Sequence, residues 1–188
     1  TLDSARLVLG VSTYTDITPL GQAGPRGEVS GSLSITQTLA QGFGTVASGS
    51  YSQAQGRNTT ASGPFSFASN QNSIATAVCS SAIGEGSSAT ATAAHSQGFG
   101  SIAGGLASHA EGYYTEAASN YSHSEGYRTD ATNTAAHAEG YQSLASGLYS
   151  HASNRNTTAS ATCAHAEGEG TSATADAAHS EGFQSVAR

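Results

Sequence analysis

Bulky and basic side chains are scarce in this chain of 188 residues. It contains no tryptophan and no methionine, and its six Lys or Arg residues are all arginine. Ala, Ser, Gly and Thr dominate, so a broad core of large apolar side chains is hard to build. The net charge is −7 and no arginines cluster, which argues against nucleic-acid binding. No apolar run of about 18 residues occurs, so no transmembrane span is predicted.

Cysteine is also scarce, since the chain contains only Cys79 and Cys163. They lie 84 positions apart, which is six times 14. If each 14-residue unit advances by one strand spacing of about 4.8 Å, a disulfide within one chain would be too long. We expect two small buried thiols.

A strict 14-residue repeat is the main feature that is present. Every unit closes on Gly or Asn, without insertion, and ten full units occupy residues 43–182. An eleventh begins at Phe183 and stops at Arg188 in mid-unit, so we expect the natural protein to continue. The closing residues are Gly42, Gly56, Asn70, Gly84, Gly98, Gly112, Gly126, Gly140, Asn154, Gly168 and Gly182.

Small residues alternate with variable ones inside each unit. With the unit numbered 1 to 14, position 3 is Ser or Thr, position 5 is Ala, and positions 10 and 12 are Ser or Ala. Alternation is the period of a β-strand, and Gly or Asn suits a turn with positive φ. We therefore predict two short strands per coil, each ended by a corner, and coils that stack as parallel strands. The predicted buried core comprises Ala47, Ala61, Ala75, Ala89, Ala103, Ala117, Ala131, Ala145, Ala159 and Ala173.

All seven histidines of the chain occupy position 11, and position 13 often carries Glu. Residues two apart on a strand face the same way, so these side chains should form outward pairs that recur on successive coils. They either face water or form a hydrogen-bonded layer between chains. The predicted ladder or interface residues are His95, His109, His123, His137, His151, His165, His179, Glu111, Glu125, Glu139, Glu167 and Glu181.

Metal binding and catalysis are weaker alternatives for this column of His and Glu side chains. Imidazole suits zinc, copper and nickel, but ligands spaced by one strand separation do not converge on one ion. Because the His and Glu pairs are equivalent from coil to coil, none of them marks a distinct catalytic pocket. We therefore expect no enzymatic activity, no metal and no cofactor, and the ligand-binding residues stay unassigned.

Other surface patterns admit two interpretations each. Aromatic residues at positions 1 and 9 favour ladder stacking or packing between chains, with an adhesive patch as the alternative. Outward Ser and Thr pairs suggest an ice-binding array, but Val46, Ile102 and Glu116 interrupt that face. A polysaccharide-cleaving tailspike would need a groove with paired carboxylates, and no unit departs from the repeat to make one.

The segments "SSAIG" (80–84), "SHAEG" (108–112) and "SHSEG" (122–126) resemble the YadA-like head repeats of trimeric adhesins, also called Hep/Hag repeats. The resemblance covers residues 43–188. It implies a left-handed parallel β-roll, a homotrimer and an adhesive head on a cell surface. The H-A-E-G variant is similar to repeats in surface and phage fibre proteins of Gram-positive spore-formers. Where this family has Val and Ile at positions 11 and 13, the present chain has His and Glu.

The chain is predicted to have three parts. Residues 1–20 are interpreted as a strand-forming cap or the end of a preceding module. Residues 21–31 contain "GQAGPRGEV", three G-x-y triplets that suggest a Gly/Pro linker or a short collagen-like segment. Residues 32–188 form the β-roll.

These features together predict an extracellular, non-enzymatic, trimeric fibre or adhesin segment. We expect it to project from a cell, spore or virion and to bind a host-surface or glycan ligand. The alternative is a purely structural spacer.

Overall fold

The computed structural model describes residues 38–188, which form a parallel β-solenoid. Each coil contributes one strand to each of two sheets, and both sheets contain 11 strands. No helix occurs among the described residues. The all-β, 14-residue coil predicted from the repeat is therefore confirmed.

One sheet contains the longer strands, which run from position 11 of a unit to position 1 of the next. They are β1 (Leu39–Phe43), β3 (Gln53–Arg57), β5 (Phe67–Gln71), β7 (Ser81–Ile83), β9 (His95–Phe99), β11 (His109–Tyr113), β13 (His123–Tyr127), β15 (His137–Tyr141), β17 (His151–Arg155), β19 (His165–Glu169) and β21 (His179–Phe183).

The other sheet contains two-residue strands at positions 4 and 5. They are β2 (Val46–Ala47), β4 (Thr60–Ala61), β6 (Ile74–Ala75), β8 (Ser88–Ala89), β10 (Ile102–Ala103), β12 (Glu116–Ala117), β14 (Asp130–Ala131), β16 (Leu144–Ala145), β18 (Thr158–Ala159), β20 (Ser172–Ala173) and β22 (Val186–Ala187).

Neighbouring coils pair in register, without offset. His109 pairs with His123 in the long-strand sheet, and Ala117 pairs with Ala131 in the short-strand sheet. Each position of the repeat therefore becomes a continuous column of side chains along the solenoid, about 4.8 Å from one residue to the next.

The interior is a thin column of small side chains. Positions 3, 5, 10 and 12 point inward, as predicted, and most of their residues are fully buried. Ala47 in β2 is only partly buried. The position-5 alanines with no exposed surface are Ala61, Ala75, Ala89, Ala103, Ala117, Ala131, Ala145, Ala159 and Ala173.

Hydroxyl groups share this interior with the alanines. Ser124 Oγ donates to the carbonyl oxygen of Thr129 at 2.7 Å, and Thr157 Oγ1 donates to Ser143 Oγ at 2.9 Å. Such bonds offset the cost of burying polar groups. The core therefore has room only for side chains of about this size.

Three residues per coil have left-handed backbone conformations, at positions 2, 9 and 14. At position 14, Gly112 has φ of 130°, and a Cβ there would lie 2.1 Å from the carbonyl oxygen of Gly126. The next coil therefore excludes a side chain at Gly112. One expectation was wrong: this glycine does not end its strand, because β11 continues to Tyr113.

The predictions for residues 1–20 and 21–31, and for the first six residues of the 32–188 segment, lie outside the described residues. No helix within residues 38–188 is long and apolar enough to cross a membrane.

Candidate functional site: two side-chain ladders on the long-strand sheet

Stacked imidazole rings form the first column, here called the histidine ladder. Each histidine begins a long strand, and adjacent ring centroids lie 4.7–4.9 Å apart. The four inner contacts, from His109 to His165, are stacked with interplanar angles of 5–21°. The two outer contacts are edge-on. The ladder comprises His95, His109, His123, His137, His151, His165 and His179.

Glutamate lies beside most of these rings, as predicted from the i, i+2 spacing. The Nε2 atoms of His109 and His123 lie 3.6 and 3.5 Å from the carboxylates of Glu111 and Glu125. The corresponding distances are 3.7 Å for His165 with Glu167 and 3.4 Å for His179 with Glu181.

The pairing shifts where the glutamate is missing. Ser153 occupies position 13 beside His151, whose Nε2 lies 3.6 Å from Glu139 on the preceding coil. Glu139 also lies 4.0 Å from His137 Nε2. One carboxylate therefore contacts two imidazoles, a feature that the sequence alone did not indicate.

The inner histidines lack a hydrogen-bond partner for Nε2. From His109 to His165, the side chains are 35–41% exposed, yet their Nε2 atoms are enclosed and have no hydrogen-bond partner. By contrast, His179 Nε2 makes a 3.4 Å hydrogen bond with Glu181. The inner part of the ladder therefore contains polar atoms that are shielded from water but incompletely paired.

The charged form is disfavoured at three histidines of the ladder. Burial lowers the pKa of His109, His137 and His165, and the charges of the adjacent histidines lower it further. The neighbouring glutamates oppose both effects but do not outweigh them. These three imidazoles are therefore neutral at neutral pH and resist protonation more than free histidine does.

The geometry of the histidine ladder does not resemble a metal centre. Among residues 38–188, no group of three or more His, Cys, Asp or Glu residues converges as metal ligands would. The ladder repeats one environment along a line instead of gathering several ligands at one point.

A second column on this sheet consists of aromatic rings and is called the aromatic ladder. Its members are Phe99, Tyr113, Tyr127 and Tyr141, with successive centroids 5.2, 5.1 and 4.9 Å apart and interplanar angles of 11°, 2° and 4°. The ladder stacking predicted for position 1 is confirmed within one chain. The rings cover one another's faces, so the column presents ring edges and hydroxyl groups to solvent. The next residue of the column is Arg155, which pairs with Glu169 at 3.0 Å.

The two cysteines differ from expectation. Cys79 and Cys163 are both free, but both are exposed at position 9. The interior-facing positions are 3, 5, 10 and 12, so a thiol at this corner points outward. The expectation of buried thiols was wrong because it used the general behaviour of cysteine and ignored the position of the residue in the repeat.

The short-strand sheet adds two features. Val46, Ile74 and Ile102 in its outward column are 50%, 41% and 42% exposed. In the same column Glu116 pairs in register with Asp130, and burial together with the Glu116 charge raises the pKa of Asp130. The sequence could have indicated this contact, because the two acidic residues are 14 positions apart.

Comparison with known proteins adds no name to this geometry. No protein-family model matches the chain, and no curated protein matches it.

Proposed function

We propose that this chain is a non-enzymatic fibre segment of an extracellular surface or virion protein, similar to the YadA-like adhesin head. The observation that carries this proposal is the unbroken stack of coils. A solenoid of this kind is compatible with a fibre or adhesin-like repeat. Ten steps of about 4.8 Å extend it by about 48 Å. No described coil carries an insertion that would form a lid or cleft.

The proposed fibre is a parallel homotrimer. A roll with a core of Ala, Ser and Thr buries little apolar surface, and small cores usually need association or another staple. The histidine ladder supplies a second argument. The neutral imidazoles of His109, His137 and His165 are still 35–41% exposed, and a neighbouring chain covers neutral rings at a lower cost than charged ones. The proposed contact is therefore the His and Glu face of the long-strand sheet.

Sedimentation equilibrium at micromolar concentration tests the assembly. The expected species has three times the chain mass, and a folded monomer contradicts the proposal. Two sets of variants locate the contact. The double substitution His123→Ala and His137→Ala is expected to weaken the trimer, whereas Ile74→Ser and Ile102→Ser on the short-strand sheet leave it intact. The reverse result would place the contact on the exposed aliphatic column.

The proposed activity is attachment to a host-surface or glycan ligand. Binding of purified, fluorescently labelled protein to glycan arrays and to cells separates an adhesin from a spacer. Saturable binding that unlabelled protein competes away supports the adhesin. Absence of saturable binding by an intact trimer supports the second candidate, a structural spacer, which the uniform coils favour.

A further inference from the structure

The aromatic ladder places phenol rings of different coils side by side. Tyr127 stacks on Tyr113 at 5.1 Å and on Tyr141 at 4.9 Å, with the rings within 2° and 4° of parallel. Tyr113 and Tyr141 are 40% and 43% exposed, so a small oxidant or an electron acceptor reaches the edge of the column. Register pairing of β11, β13 and β15 holds the three tyrosines in this arrangement.

We propose that Tyr113, Tyr127 and Tyr141 form an oxidative modification site, at which a peroxidase with hydrogen peroxide couples neighbouring coils through dityrosine. Tyr127 is the obligatory partner, because it lies between the other two. Tyr113 and Tyr141 are separated from each other by two strand spacings, about 9.6 Å, which is too far for direct coupling. This inference does not depend on the proposed fibre function.

The coupling step is balanced. Each of the two phenols loses one electron and its phenolic proton, which gives two phenoxyl radicals. The ring carbons next to the oxygens then form one C–C bond, and the hydrogens at these carbons move to the oxygens and restore both phenols. The two electrons and two protons reduce one hydrogen peroxide, whose O–O bond breaks to give two waters.

Proximity favours this reaction over its competitors. Two groups held about 5 Å apart react as an intramolecular pair with a high effective concentration. Tyr113 and Tyr141 are partly exposed, so their rings have open space beside them in which to turn towards Tyr127.

The exposed Tyr114 also has a phenol neighbour, since its ring lies 4.7 Å from that of Tyr113, but these two residues are adjacent in sequence, so their coupling joins no neighbouring coils. Tyr121 is 60% exposed, but Ala107 and Ala135 flank it in its column.

The arginines of the chain allow a direct readout. Trypsin cleaves after Arg57, Arg128 and Arg155, so Tyr127 and Tyr141 fall into separate peptides, 58–128 and 129–155. The full chain is treated with peroxidase and hydrogen peroxide, and the band of single-chain mass is cut from a denaturing gel. The expected product is a covalently joined pair of these two peptides, two hydrogens lighter than their sum, with dityrosine fluorescence.

Matched variants decide the assignment. Tyr127→Phe keeps the stacked ring but removes the phenol, so the joined peptide pair is lost. Tyr121→Phe removes a more exposed phenol and leaves the pair unchanged. Oxidised wild-type protein is also expected to melt at a higher temperature than oxidised Tyr127→Phe, because the bond restricts the unfolded chain, as a disulfide does.

Three results would overturn the proposal. The joined peptides are absent from the single-chain band of the wild type, they persist in Tyr127→Phe, or coupling occurs only between chains and appears solely at multiples of the chain mass.

Discussion

The first four described coils and the later coils share one interior but have different outer faces. At position 11 the early strands begin with Leu39, Gln53, Phe67 and Ser81, and every later strand begins with histidine. Inside, Ala61 in the early part and Ala117 in the later part are both fully buried. The interior is therefore constrained by shape throughout, whereas the outer columns change without altering the coil.

Both regions tolerate a local departure from the pattern. In the later one, Asn154 closes a coil in place of glycine, and the pairing of β15 with β17 is interrupted between Ala138 and Tyr141.

The early region shows the same replacement. Asn70 takes the place of the closing glycine, and pairing of β5 with β7 ends at Ser69 with Ile83. The strand after it, β7, has three residues instead of five. The coil nevertheless continues, because the alanines of β6 and β8 remain paired on the other sheet.

Placing a larger side chain in the interior that both regions share is expected to have the largest effect. Ala61→Leu and Ala117→Leu should each lower the free energy of unfolding by about 1–3 kcal/mol or more, because neither coil has space for a larger side chain. Urea denaturation measures both. Thr76→Leu, at an exposed outward position away from both ladders, is the control and should stay within about 0.5 kcal/mol of wild type. Unequal losses at the two alanines would show that the two regions do not share one core.

Acid is expected to destabilise the later coils, whose long strands begin with histidine, more than the early coils. The pKa values of His109, His137 and His165 are lowered in the fold, so the unfolded chain binds more protons as pH falls below the ordinary value of about 6.5. Stability is therefore full at higher pH and is lost as pH falls from that value towards the lowered ones. The melting temperature should fall between about pH 8 and pH 5.

Two variants sharpen the acid comparison. Replacing these three histidines together by Gln should flatten the pH profile. Gln53→His, which adds a histidine between Leu39 and Phe67, should leave the wild-type profile unchanged because this position is exposed and the new imidazole has no charged neighbours in its column. A profile that is unaffected by the triple substitution would mean that the ladder does not respond to acid.

A smaller effect concerns the shared carboxylate. Glu139 raises the pKa of His137, although burial and the adjacent histidines lower it more. Glu139→Gln should therefore lower the pKa of His137 further, as measured by NMR titration of its ring protons. Glu181→Gln is the matched control, because Glu181 acts on His165 and not on His137. A shift of His137 in the control would indicate a general change in the fold.

The smallest effect lies on the short-strand sheet. Asp130 has a raised pKa from burial and from Glu116, so its ionised form disfavours the fold at neutral pH. Asp130→Asn should raise the free energy of unfolding at pH 7 by up to about 0.5 kcal/mol. The gain should disappear as pH falls through the raised pKa, since the native carboxyl is then protonated. A loss of stability at pH 7 would show that the carboxylate makes a favourable contact.

The repeat predicted the fold and the direction in which most side chains point. Alanine at position 5 indicated a narrow interior, and the i, i+2 spacing of His109 and Glu111 placed both side chains outside. Contacts between side chains of different coils could not be predicted in the same way. The double contact of Glu139 depends on how its side chain spans two strands, and the left-handed φ of 56° at Cys79 belongs to a corner whose geometry alternation does not describe. Periodicity specifies columns, but not the rotamers and corner geometry within them.

The pairing of coils without offset has a consequence for how such a gene can change. Removal or duplication of 14 codons rejoins every column with an equivalent residue, so the solenoid changes length and keeps its surface pattern. Removal of a single codon instead leaves one coil a residue short, so within that coil either a strand slips and turns a buried alanine outward or a corner closes with one residue fewer. Variation in length is therefore expected to occur in whole coils, each of which adds about 4.8 Å of reach.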